Sequence, residues 1–112
     1  MVAARFGPHP ILVNRRVVVR FMAVADELSR QELMDEVKVI LSYSPRHMLH
    51  DASRPISMHA YGLAVDVNPA ENRYATAGSM HPGIIKAFEA QGFTYGGRWR
   101  VSDPMHFQAA KL

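Results

Sequence analysis

The residues best suited to chemistry fall in two stretches, Ser57-Met58-His59-Ala60-Tyr61-Gly62-Leu63-Ala64-Val65-Asp66 and Asp103-Pro104-Met105-His106-Phe107-Gln108. Between them they offer two imidazoles, His59 and His106, and one carboxylate, Asp66, as metal donors. A further acid, Asp103, stands three residues before His106. Three nitrogen and oxygen donors are what a catalytic zinc site uses, because the fourth position must stay open for water. An acid nearby that is not needed as a ligand can move that water's proton. The pattern points to metal-assisted hydrolysis.

Each residue alone carries much less. A histidine and an aspartate seven apart, as His59 and Asp66 are, occur by chance in most proteins. His106, between Met105 and Phe107, reads equally well as a partly buried histidine bonded to a carbonyl. Asp103 before Pro104 is also a common turn pattern. Trp99 and Tyr61 are candidates to wall a cleft or simply to pack. His9, His47, His50 and His81 lack a comparable setting and are read as surface or loop residues.

The elements that must position these groups follow from periodicity. Phe21, Val24, Ala25 and Leu28 recur at i, i+3, i+4 and i+7, which predicts a helix from about Val18. A second short helical piece is expected from Arg30 to Glu36, with Leu33 and Met34 inward. Val37 to Tyr43 is β-branched and aromatic and reads as a buried strand, ended by Ser44-Pro45. From there to Pro55 the chain is a polar loop. Gly62 to Val67 reads as a strand with Leu63, Val65 and Val67 on one side and Ala64 and Asp66 on the other. Pro82 and Gly92 bracket a helix carrying Ile84, Ile85 and Phe88. A Gly96-Gly97 turn and a strand from Met105 to Gln108 close the chain. Residues 1–14, with Gly7, Pro8 and Pro10, are expected to be an irregular arm with a short strand at Ile11 to Val13.

At 112 residues the chain predicts one domain, spanning 1–112. Helices and strands do not alternate regularly, so the expected class is α+β, a small antiparallel sheet flanked by helices. There is no cysteine, which excludes disulfides, thiolate ligands and a cysteine nucleophile. The net charge of +3 comes from scattered arginines, without the dense basic face of a nucleic-acid binder. No apolar run is long enough to span a membrane, and the first eight residues lack the pattern of a secretory signal.

The pattern S-x-H-x-x-G-x-A-x-D, followed by G-G-x-W at Gly96–Trp99 and D-x-x-H-F at Asp103–Phe107, resembles the zinc D-alanyl-D-alanine carboxypeptidase and L-alanyl-D-glutamate endopeptidase family. These are peptidoglycan peptidases that share a fold with the hedgehog signalling domain and include phage endolysins. The resemblance covers roughly residues 37–110. It implies Zn2+ as cofactor with His59, Asp66 and His106 as ligands, Asp103 as general base, Ser57 near the substrate and Arg46 steadying the oxyanion. Arg54, in the same loop, is the alternative to Arg46. Many relatives carry glutamate at the position of Asp103, so the shorter reach of aspartate depends on how the Pro104 turn is set. The partner implied is a peptidoglycan peptide met by a monomer, with no nucleic acid. Synthesis in a cytoplasm and action on the cell wall after release, as in host lysis, would follow. A non-catalytic zinc-binding module on the same fold is the competing expectation, and the spare acid Asp103 argues against it. A structural zinc in a basic nucleic-acid-binding domain lacks a fourth ligand.

Overall fold

In the computed structural model, which describes residues 1–42 and 58–110, the N-terminal residues form a β-hairpin. Its strands are β1 (Val2–Phe6) and β2 (His9–Val13), paired antiparallel with Phe6 opposite His9. This corrects the expected irregular arm. Alternation explains it: Phe6, Ile11 and Val13 are buried while Ala3, Arg5, Pro10 and Leu12 face outward. Gly7 supplies the turn with φ +61°. Pro10 is tolerated because alternate pairs of an antiparallel ladder exchange no hydrogen bonds.

Helix α1 (Val18–Arg30) buries Phe21, Val24, Ala25 and Leu28, the stripe expected from the sequence. The helical piece expected from Arg30 onward shrinks to one 3-10 turn at Met34–Glu36. Glu32 has turned left-handed, with φ +59°, and interrupts the helix. Strand β3 is likewise shorter than expected, Ile40–Leu41, and Tyr43 lies outside the described residues. Side chains tie the preceding segment instead. Asn68 Oδ1 accepts from the backbone N–H of Lys38 and Val39, its Nδ2 donates to the Glu36 carbonyl, and His9 Nε2 reaches the Val37 carbonyl at 2.7 Å.

The main sheet is antiparallel in the order β3–β4–β6–β5, with β4 (Ala64–Val67), β5 (Phe93–Tyr95) and β6 (His106–Ala109). Helix α2 (Pro82–Ala90) leads into β5. His81, expected only as a surface residue, caps this helix: its Nδ1 accepts from the Gly83 N–H at 2.9 Å. Together these elements make the expected α+β architecture.

The two faces of the central pair β4–β6 have different tasks. Val65 stands opposite Phe107, and both are fully buried. Phe107 stacks on Phe88 of α2 at 4.1 Å between centroids and on Tyr95 at 4.9 Å. Phe88 in turn meets Phe6 of the hairpin and Phe21 of α1. One face of the sheet is therefore anchored in an aromatic core. Its other face carries Asp66 opposite His106 and Ala64 opposite Gln108.

Candidate metal centre

Register alone brings Asp66 and His106 side by side on that second face. His59 arrives from a 3-10 turn, Met58–Tyr61, immediately before β4. Gly62, at φ +70°, closes the turn, with its N–H on the His59 carbonyl at 3.0 Å. A Cβ at Gly62 would collide with the backbone nitrogen of Asn14, so the close approach requires glycine. Asn14 pins the turn from outside: its backbone N–H donates to the Gly62 carbonyl and its side-chain amide to the Tyr61 carbonyl.

Three inward atoms meet as a result. His59 Nε2 lies 3.1 Å from Asp66 Oδ1, His106 Nδ1 lies 3.3 Å from the same oxygen, and the two nitrogens are 3.3 Å apart. Ligands held tetrahedrally at about 2.0–2.1 Å from an ion stand roughly 3.3 Å from one another. All three residues are buried. The triangle therefore has the size and the donor types of a three-ligand zinc site.

Proton positions strengthen the fit. The Ser42 carbonyl, 3.1 Å from His59 Nδ1, can only accept, so Nδ1 carries the proton. Gln108 Oε1, 2.8 Å from His106 Nε2, does the same for the second ring. In the neutral rings both inward nitrogens are then lone pairs, aimed at each other and at a carboxylate oxygen. Such a cluster attracts a cation, a metal ion or a proton. Burial works against the charge on Asp66, but hydrogen bonds from His106 and His59 outweigh it and hold the carboxyl well below the usual range. Burial also opposes protonation of His106, yet the bond and charge of Asp66 push its pKa up.

Asp103 stands at the rim. Its Oδ2 is 4.0 Å from His106 Nδ1 and its side chain is 21% exposed, so it touches both the cluster and water. Its backbone forms the turn into β6, with its N–H on the Gly96 carbonyl and its carbonyl accepting from the His106 N–H. A Cβ on Gly96 would sit 2.5 Å from the Asp103 carbonyl oxygen, which explains why glycine occupies that position. Trp99 packs beside His106, 5.3 Å between ring centroids, and remains 37% exposed. Tyr61 is exposed, and what anchors it is its backbone carbonyl.

A family model described as D-alanyl-D-alanine carboxypeptidase matches residues 50–109, more than half of the chain. The chain belongs to the D-alanyl-D-alanine carboxypeptidase family. The activity class is thus that of a peptidase, and the substrate class implied by the D-alanyl-D-alanine carboxypeptidases is the peptidoglycan peptide. No curated protein and no solved structure matches the chain. Among the described residues, no helix is long and apolar enough to cross a membrane.

Of the residues singled out by sequence, His59, Asp66, His106 and Asp103 come together. Arg46, Arg54 and Ser57 lie outside the described residues, as do His47 and His50. The sequence reading missed Gln108, Ser42 and Asn14. For Gln108 a signal existed, since residues two apart on a strand share a face. For Ser42 and Asn14 there was none, because each acts through contacts with residues distant in sequence.

Proposed function

We propose that this protein is a zinc-dependent peptidase of peptidoglycan stem peptides, cleaving either the L-alanyl-D-glutamate bond or a terminal D-alanyl-D-alanine bond in the manner of phage endolysins. The observation that carries the reading is the triangle of three buried donor atoms with an additional, partly exposed carboxylate 4.0 Å from one of them. His59, Asp66 and His106 would hold the ion. When bound, zinc supplies a Lewis acid and makes water acidic enough to attack near neutral pH.

The remaining steps belong to the chain's own side chains. Asp103 is partly solvated and close to the cluster, which suits a group that accepts a proton from the attacking water. It then returns that proton to the leaving amine. General acid–base transfer of this kind contributes about 10²- to 10⁴-fold. Trp99 would shield the His106 side of the site from bulk water and offer a flat apolar wall to the substrate backbone. Arg46, or Arg54 in its place, would steady the oxyanion, where one preorganised donor is worth about 3 kcal/mol. Ser57 would contact the substrate.

The proposed setting is a cytoplasmic protein that works on the wall after release, as one domain and as a monomer. A non-catalytic zinc module is the second reading, and the position of Asp103 favours the enzyme over it. Mass spectrometry of muropeptides after digestion tests the proposal directly. New termini at L-alanine and D-glutamate, or loss of the terminal D-alanine, are expected. Zinc-loaded protein that leaves muropeptides intact would support the non-catalytic module.

A further inference from the structure

We infer that Gln108 is a positioning residue for the candidate metal centre: its side-chain oxygen holds the His106 ring so that Nδ1, and not Nε2, faces Asp66 and His59. The inference rests on the metal-centre reading above and goes beyond the ligand set and the acid.

Three observations carry it. First, the contact from His106 Nε2 to Gln108 Oε1 is 2.8 Å, shorter than the 3.3 Å from His106 Nδ1 to Asp66 Oδ1 and to His59 Nε2. Secondly, the sheet register places Gln108 for this task. His106 and Gln108 lie two apart on β6 and share a face, and the residue opposite Gln108 on β4 is Ala64. A small residue there leaves room for a long carboxamide on the site face. Thirdly, an imidazole that flips about its Cβ–Cγ bond can present either of its two nitrogens to an ion. An acceptor that binds one nitrogen's proton decides which lone pair remains. Gln108 supplies that acceptor without adding a charge.

His59 has the complementary arrangement, its Nδ1–H on the Ser42 carbonyl. The two rings therefore turn different nitrogens inward, Nε2 of His59 and Nδ1 of His106, and would hold an ion through these. Each has its other nitrogen occupied by an oxygen acceptor.

The test uses the full chain and Zn2+ alone. Gln108→Leu removes the acceptor while keeping bulk, and Gln108→Glu restores an oxygen. Zn2+ affinity is expected to fall about 10- to 100-fold in Gln108→Leu, as is typical for loss of an outer partner, and to recover in Gln108→Glu. In the zinc-loaded wild type, the His106 Nε2–H should give a slowly exchanging imidazole resonance in NMR spectra, lost in Gln108→Leu. Unchanged affinity in Gln108→Leu, or a rapidly exchanging Nε2–H in the wild type, would overturn the inference. Should Gln108→Leu fail to fold, the wild-type resonance decides alone. Failure here is distinguishable from failure of the proposed function. A wild-type protein that binds Zn2+ through a protected His106 but cleaves no muropeptide leaves the role of Gln108 standing. Cleavage together with an indifferent Gln108→Leu does the reverse.

Discussion

The two histidines of the centre are buried to similar degrees, yet the chain holds them by opposite means. His106 sits in the middle of the sheet, paired with Asp66 across β4–β6, backed by Phe107 in the aromatic core and braced by a side chain, Gln108. His59 sits on a single 3-10 turn, braced by a backbone carbonyl, Ser42, and pinned by Asn14 at the end of the hairpin. Asn14 and Ser42 lie before the matched segment 50–109, whereas Gln108 lies inside it. One ligand is thus fixed by sheet register and the other by contacts that cross the chain. A side-chain substitution can remove the first brace but cannot remove the second.

The largest expected effect treats the two sides alike. His59→Ala and His106→Ala should each weaken Zn2+ binding by more than about 100-fold, beyond the loss typical of an outer partner, and both should abolish hydrolysis. Equilibrium dialysis with Zn2+ measures this. Retention of metal by either variant would remove that residue from the ligand set. Asp103→Ala comes next. It should keep the metal and lose about 10²- to 10⁴-fold in kcat. Loss of metal along with turnover would make Asp103 a ligand.

How far this arrangement was legible in the sequence follows the same division. Period-two alternation in β4 and the 3.6-residue stripe of α1 are local patterns, and the faces they predicted are the faces observed. That left His106 and Asp66 readable as neighbours once the two strands were paired. The hairpin was not legible, because Gly7, Pro8 and Pro10 are strong turn signals that hid a two-stranded alternation around them. The short β3 was overread for the opposite reason. Val37 and Val39 have strand propensity, but their backbone is held by the side chains of His9 and Asn68, and no propensity scale sees a long-range side-chain bond.

A middle-sized effect should appear in stability as a function of pH. In metal-free protein the depressed pKa of Asp66 contributes stability that is complete above the unfolded value of about 3.9 and is lost as pH falls through the folded value. The raised pKa of His106 contributes stability that is complete below about 6.5 and is lost as pH rises through its folded value. Thermal melts of metal-free protein should therefore show this contribution in full between about pH 4 and 6.5. Zinc should carry the stability on to higher pH, because the ion replaces the proton. A metal-free melt indifferent to pH from mildly acid to alkaline conditions would show that the cluster is not coupled in this way. Gly96→Ala should destabilise by about 1–3 kcal/mol, because its Cβ meets backbone at the Asp103 turn. Urea denaturation measures that cost.

The smallest effect is the sharpest test of the contrast. Ser42→Ala removes a hydroxyl that accepts from the Leu12 N–H at 2.9 Å, an exposed bond worth about 0.5–1.5 kcal/mol at most. The Ser42 carbonyl that holds His59 remains. Zn2+ affinity should then stay within about threefold of wild type, a change well under 1.4 kcal/mol, while Gln108→Leu loses far more. Both residues brace a histidine at similar distance, so a count of contacts would rank them equally. The difference arises because one brace is side chain and the other main chain. If Ser42→Ala weakens Zn2+ binding as much as Gln108→Leu does, the hydroxyl tie to the hairpin, and not the carbonyl, is what holds His59 in place.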